Sequence, residues 1–141
     1  MQINQFLIAV LGSATLTAAA CFPGGRESNY NLDGGPRLDF ACEKLIGTFE
    51  KNGKNTKTIC YMDDLRTRWD FELSYIGTDA DRTIDLNECV DGMAKEASCT
   101  YGGRRRYSNW EYMADPNDGP CPGAFSMNST RIGVSEYDGD F

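Results

Sequence analysis

Apolar residues recur at helical spacing in two parts of the chain. Both segments place a cysteine on their apolar face, Cys42 in the first and Cys89 in the second. The first is expected to begin at Pro36 and end at Gly47, and the second to begin with Thr83 as its N-cap. Their apolar positions follow the spacing of one buried helix face: Leu38, Ala41, Cys42, Leu45 and Ile46, then Leu86, Cys89, Val90, Met93 and Ala97.

Three other segments are predicted strands, and two of them show the two-residue alternation that is typical of strands. Residues 56–62 are β-rich and follow an Asn-Gly turn, and residues 68–75 alternate clearly, with Trp69 and Phe71 on the apolar face. In the third, residues 106–114, a single strand would place Arg106 on the face of Trp110 and Tyr107 on the face of Glu111. Two helices and at least three strands predict a layered α+β or α/β domain.

Two groups of acidic residues on these elements have alternative interpretations. Asp70 and Glu72 share the polar face of their strand, which suggests either a solvated face or, less favoured, a carboxylate pair for acid/base chemistry. Residues 115–119, DPNDG, contain oxygen ligands, but their spacing departs from that of a calcium loop. The Pro and Asn-Asp-Gly pattern predicts a tight turn instead.

The N-terminal residues 1–20 have the pattern of a secretory signal peptide. An apolar stretch is followed by small residues that end at Ala20, and no charged residue occurs before Arg26. The stretch is too short for a stable membrane span. The alternative is a lipid-modified Cys21. It is disfavoured because it would leave five cysteines, which cannot all be paired in disulfides. We therefore expect a secreted, extracellular and soluble protein.

The mature chain would contain all six cysteines: Cys21, Cys42, Cys60, Cys89, Cys99 and Cys121. An even number in a small exported domain predicts three disulfides, among about fifteen pairings that the sequence does not distinguish. No metal site is expected, because histidine and C-x-x-C spacing are both absent. We expect one domain over residues 21–121, then a loosely packed acidic tail over 122–141 with an N-glycosylation sequon at Asn128.

The net charge of −7 argues against nucleic acid or an anionic membrane as the main partner. The basic cluster Arg104–Arg106 is the only one in the chain. In an acidic protein such a cluster is more often a solvated entry to a strand than a phosphate or sulfate site. The composition indicates no cofactor, and it is compatible with a homodimer in which two sheets pair.

The run from Asn109 to Cys121, NWEYMADPNDGPC, resembles the end of small secreted fungal proteins, the Y3-like glycan-binding proteins. Residues 21–121 agree with this family in further positions: the Cys42 helix leading into Gly47-Thr48-Phe49, Cys60, the strand from Trp69, Cys89, Gly92, Glu96, Cys99 and Gly102-Gly103. The resemblance implies an α/β/α sandwich with a central, mainly antiparallel sheet flanked by two helices. It also implies binding of glycans or glycoproteins that display N-acetylhexosamine, without enzymatic activity.

Residues near the third strand carry the side chains that sugar recognition requires. An aromatic ring covers the apolar face of a pyranose, and amides or charged groups satisfy its hydroxyls. The candidates within eleven residues are Tyr101, Arg104, Tyr107, Asn109, Trp110 and Glu111. Alternatively, Trp110 and Tyr112 belong to the core.

A secreted effector or toxin that acts on a host or competitor protein is the competing function. An enzyme is less favoured, because without histidine only carboxylate mechanisms remain.

Overall fold

The computed structural model describes residues 20–52 and 55–122. It contains two helices, α1 (Leu38–Leu45) and α2 (Leu86–Ala97), and six strands: β1 (Gly47–Phe49), β2 (Thr56–Met62), β3 (Arg68–Tyr75), β4 (Arg82–Ile84), β5 (Gly103–Tyr107) and β6 (Trp110–Asn117). The expected mixed α+β class is confirmed. The leader before Ala20, the acidic tail beyond Pro122 and the Asn128 sequon lie outside the described residues.

Four strands form an antiparallel sheet in the order β2-β3-β6-β5, and β1 pairs separately with β4. Directly paired residues share a face of such a sheet. Tyr75 pairs with Trp110 and Leu73 with Tyr112, so the apolar faces of β3 and β6 coincide. The opposite face of β3 carries Asp70 and Glu72, as its alternation predicted.

Residues 106–114 do not form the single strand that we expected. Ser108 and Asn109 form a turn between β5 and β6, and the register pairs Arg106 with Glu111 and Tyr107 with Trp110. The turn reverses the chain, so Arg106 lies on the face of Glu111 rather than on that of Trp110.

Both helices pack on the apolar face of the four-stranded sheet. The Phe40 ring of α1 contacts the Tyr61 ring of β2 at 5.3 Å between centroids, and Gly92 of α2 lies against the Tyr112 ring of β6. The Cys42–Cys89 disulfide joins the two helices, and both cysteines are buried. The sheet flanked by helices in an α/β/α sandwich is therefore not confirmed, because in the described residues both helices share one side.

The second helix begins two residues later than predicted. Residues 82–84 pair with β1 as β4, with Thr83 opposite Thr48, so Thr83 is not the N-cap. Asp85 is the N-cap, and its carboxylate accepts a hydrogen bond from the Glu88 backbone N–H at 2.8 Å. The predicted apolar side of the helix packs on the core, where Gly92 and the charged Glu96 are also buried.

The other two disulfides fix the ends of the domain. Cys21 is bonded to Cys99 at the end of α2, and Cys60 of β2 to Cys121. The expected three disulfides are thus present, and the Cys21 sulfur is not free for lipid attachment. Within the parts of the chain that the structure describes, no helix has the length and apolar character needed to cross a membrane.

Candidate functional site

The six residues predicted for glycan binding are divided between three places. Arg104 and Glu111 lie on the face of the sheet that neither helix covers. Tyr107 and Trp110 lie on the helix-covered face. The remaining two are half-buried in turns on either side of β5: Tyr101 and Asn109.

The charged residues of the uncovered face are paired with one another. Arg104 Nη1 donates to Glu72 at 2.6 Å and to Glu111 at 2.9 Å, and Arg106 Nε donates to the other Glu111 oxygen at 2.6 Å. The hydrogen bond from Arg106 holds the pKa of the Glu111 carboxyl below its usual range. Arg104 therefore already has two carboxylate partners in place of an external phosphate or sulfate.

Asp70, at the other end of this face, is likewise engaged. Its carboxylate accepts hydrogen bonds from Arg68 Nε at 3.1 Å and Asn117 Nδ2 at 2.9 Å. Burial raises the pKa of Asp70, and these two partners oppose that rise. Since Asp70 and Glu72 are held by different arginines, the arrangement fits a polar strand face better than an acid/base pair.

Trp110 is a core residue, in agreement with the alternative interpretation of the sequence. Its side chain is 3% exposed, and its ring contacts those of Phe49 and Tyr75 at 5.0 and 5.3 Å between centroids. So little exposed surface leaves no ring face on which a sugar could stack. The Trp110 Nε1 has no hydrogen-bond partner in the described part of the protein.

A groove of about 300 Å³ lies between α2 and the β5–β6 turn. It brings together three of the predicted residues, Tyr107, Asn109 and Trp110. The other side chains and backbone positions that line it come from β4, α2, the turn and β6: Arg82, Glu88, Asp91, Gly92, Lys95, Ser108 and Tyr112. We call this feature the α2 groove.

Tyr107 is the partly exposed aromatic residue of the α2 groove, and its ring is held on several sides. Its hydroxyl donates to Glu96 Oε1 at 3.1 Å. Lys95 Nζ lies 5.2 Å and Arg105 Cζ 5.9 Å from the ring centroid, within the range of cation–π contacts. Burial and the neighbouring Glu96 raise the pKa of Tyr107, so the hydroxyl stays protonated and can donate.

Several polar groups of the α2 groove are not engaged by the protein. Among the described residues, the side chains of Arg82, Glu88 and Asn109 have no hydrogen-bond or ion-pair partner, whereas Lys95 pairs with Asp91 at 2.8 Å. Burial raises the pKa of Tyr112 to about 12. The groove therefore offers an aromatic wall beside a free cation, a free carboxylate and a free amide.

The chain matches no family model, no curated protein and no solved structure. The fold and the groove define it as a small disulfide-bonded α+β domain with a polar-aromatic groove. The similarity to Y3-like glycan-binding proteins stays a prediction.

Sequence reasoning missed Arg82, Glu88, Asp91 and Lys95 as groove residues. Glu88, Asp91 and Lys95 recur at three- and four-residue spacing, so they share one exposed side of α2. That spacing could have identified them as one surface. Arg82 lies in a three-residue strand, where no period is visible.

Proposed function

We propose that this protein is a secreted, lectin-like carbohydrate-binding protein that recognises N-acetylhexosamine-containing glycans without catalysis. The observation that carries the proposal is the α2 groove, where the Tyr107 ring lies beside the side chains of Arg82, Glu88 and Asn109. In the described part of the chain these three have no hydrogen-bond or ion-pair partner. A sugar offers an apolar ring face and several hydroxyls, which match an aromatic wall and free polar groups. The three disulfides fit an oxidising, extracellular environment.

The proposed site keeps two of the six residues predicted from sequence and adds Arg82 and Glu88. Tyr107 and Asn109 remain candidate contacts. Arg104 and Glu111 become contacts only if the glycan binds the uncovered face of the sheet. The sandwich arrangement stays part of the family resemblance and is not required by the groove.

A secreted effector or toxin that acts on a host or competitor protein is the second candidate. The uncovered sheet face favours it, because Arg104, Arg106 and Glu111 form an internally paired polar surface of the kind found at the rim of protein interfaces. Such a surface offers little for the apolar face of a sugar.

A glycan array with the oxidised chain starting at Cys21 tests the proposal, followed by titration calorimetry on any hit. Asn109→Ala removes a groove amide that has no described partner, so we expect about tenfold weaker binding, the effect of losing one good hydrogen bond. Arg106→Ala, on the neighbouring strand but on the uncovered face, is the matched control and should bind within about twofold of wild type.

The array and the two variants distinguish the alternatives. If Arg106→Ala loses binding and Asn109→Ala does not, the glycan binds the uncovered face. If the folded wild-type protein binds no glycan at all, the lectin function is wrong and the effector alternative takes its place. Trp110→Ala is unsuitable as a probe, since truncating a buried Trp costs about 3–5 kcal/mol of stability.

A further inference from the structure

Glu96 is a fully buried carboxylate that is only half satisfied. One oxygen, Oε1, accepts a hydrogen bond from the Tyr107 hydroxyl and lies 3.6 Å from Arg105 Nε. The other oxygen, Oε2, has no hydrogen-bond partner among the described residues. Burial raises the pKa of Glu96, and Arg105 opposes that rise. A buried acceptor without a partner is costly, so a group that satisfies Oε2 would stabilise the fold.

The Ala20 carbonyl oxygen and this free oxygen both lie close to Gly103. A Cβ built on Gly103 would be 2.8 Å from Glu96 Oε2 and 2.9 Å from the Ala20 carbonyl oxygen. Both oxygens therefore border the same small space beside Gly103. Glycine at position 103 keeps that space free of a side chain.

The chain on either side of the Ala20–Cys21 peptide group is held in place. The Ala20 carbonyl accepts a hydrogen bond from the Arg104 N–H, and the Phe22 N–H donates to the Gly102 carbonyl, both at 2.9 Å. The Cys21–Cys99 disulfide anchors the segment to the end of α2, one turn from Glu96. Removal of Ala20 takes away its carbonyl, but the Phe22 hydrogen bond and the disulfide remain and hold Cys21 beside Gly103.

We propose that hydrolysis of the Ala20–Cys21 bond creates the missing partner, and that the new α-ammonium group of Cys21 pairs with Glu96 in the mature protein. Water adds its hydroxyl to the Ala20 carbonyl carbon, the C–N bond breaks, and the Cys21 nitrogen takes up protons. The nitrogen is part of the same peptide group as the Ala20 oxygen, so the charge forms close to the space beside Gly103 that Glu96 Oε2 borders. This inference rests on the expected leader and not on the identity of the glycan.

The ion pair would also act on the α2 groove. Glu96 Oε1 fixes the hydroxyl of Tyr107, whose ring lines the groove. An ammonium on Oε2 holds the carboxylate charged and in position, and so helps to fix Tyr107. Removal of the leader would thereby complete the binding surface as well as release the chain.

The first test is the mass of the secreted protein, which should correspond to a chain that begins at Cys21. The second is a thermodynamic cycle of four proteins. A chain beginning at Cys21 and a chain beginning at Ala20 are each made with Glu96 and with Glu96→Gln. The extra residue displaces the ammonium by about 3.8 Å, the spacing of consecutive Cα atoms. Only the Ala20 chain keeps the hydrogen bond from the Arg104 N–H to the Ala20 carbonyl, with Glu96 and with Glu96→Gln alike. We therefore expect the change in Tm caused by the extra residue to be less favourable by roughly 4–8 °C with Glu96 than with Glu96→Gln.

A pH series provides a readout if Glu96→Gln does not fold. A carboxylate partner raises the pKa of the folded α-amino group above its unfolded value of about 7.7–8.0. The extra stability of the Cys21 chain should thus be complete below that value and disappear as the pH rises through the folded pKa. The other groups that face Glu96 are Arg105, Lys95 and Tyr107. The pKa values of Lys95 and Tyr107 are raised, so these two groups titrate at a higher pH than the α-amino group.

Three results would overturn the proposal. The mature chain could begin at a residue other than Cys21. The Ala20 extension could change Tm equally with Glu96 and with Glu96→Gln. The difference between the two chains could also stay constant from about pH 7 to 10, a range in which the α-amino group loses its proton.

Discussion

Gly92 shows how a single residue sets the position of α2 on the sheet. A Cβ built there would lie only 2.3 Å from Cζ of Tyr112, so the helix backbone rests directly on the aromatic ring. Glycine inside a helix is unfavourable by up to about 1 kcal/mol relative to alanine. Its presence is therefore explained by the close approach, which a side chain would prevent.

Gly92→Ala should destabilise the protein although alanine favours helices. The methyl group must displace α2 or the Tyr112 ring, and overpacking of this kind costs about 1–3 kcal/mol. Gly24→Ala is the matched control, since no atom of the described residues lies within 4 Å of the Cβ it would add. Urea unfolding of both variants measures the difference. A Gly92→Ala variant as stable as wild type would mean that α2 can move away from the sheet at little cost.

The start of α2 is decided by an interaction that competes with the helix. Thr83 and Asp85 are both good N-cap residues by type, but Thr83 is paired with Thr48 between β4 and β1. Only Asp85 accepts a hydrogen bond from the first turn of the helix. We expect Asp85→Ala to lower the free energy of unfolding by about 0.5–2 kcal/mol.

Thr83→Ala serves as the control for this prediction, because Thr83 is exposed. Among the described residues its hydroxyl has a single hydrogen-bond partner, the exposed Thr48 hydroxyl. Its cost should stay within about 0.5 kcal/mol. Chemical denaturation followed by circular dichroism would rank the two variants. A larger loss for Thr83→Ala than for Asp85→Ala would support the N-cap that the sequence pattern indicated.

The elements that sequence predicted well are those with a sustained period. Both helices and β3 were found because their apolar residues follow 3.6- or two-residue spacing, and β2 was found because its residues favour strands. The β5–β6 turn was missed because Ser108-Asn109 continues the alternation and contains neither glycine nor proline. Glu96 was missed because a charged residue on a helix is normally exposed, and its burial depends on Arg105 and Tyr107 of a later strand.

At the scale of the whole molecule, the three disulfides connect parts of the fold that lie far apart along the chain. Cys42–Cys89 lies between the helices, Cys60–Cys121 ties β2 to the segment after β6, and Cys21–Cys99 fixes the N-terminal segment. Sequence predicted their number but not their pairing, because pairing depends on contacts between distant parts of the chain. The α2 groove was unpredictable for the same reason, since it is assembled from β4, α2 and the β5–β6 turn.

Reduction of the native protein should therefore open the disulfides in a fixed order. Attack by a thiolate requires access to a sulfur atom. Cys21 is exposed, whereas Cys42 and Cys89 are both 0% exposed. We expect Cys21–Cys99 to open first while the fold persists. Cys42–Cys89 should open last, together with global unfolding, since a native disulfide of a small secreted domain contributes about 2–5 kcal/mol.

Partial reduction, rapid alkylation and peptide mass mapping would give this order, with tryptophan fluorescence recorded in parallel. The same reaction in concentrated urea is the control, because unfolding exposes all six cysteines and should remove the order. Alkylation of Cys42 or Cys89 while Cys21–Cys99 is still intact would contradict the prediction. It would show that the helices separate from the sheet more readily than the N-terminal segment leaves β5, and that Cys42–Cys89 is not the innermost constraint of the fold.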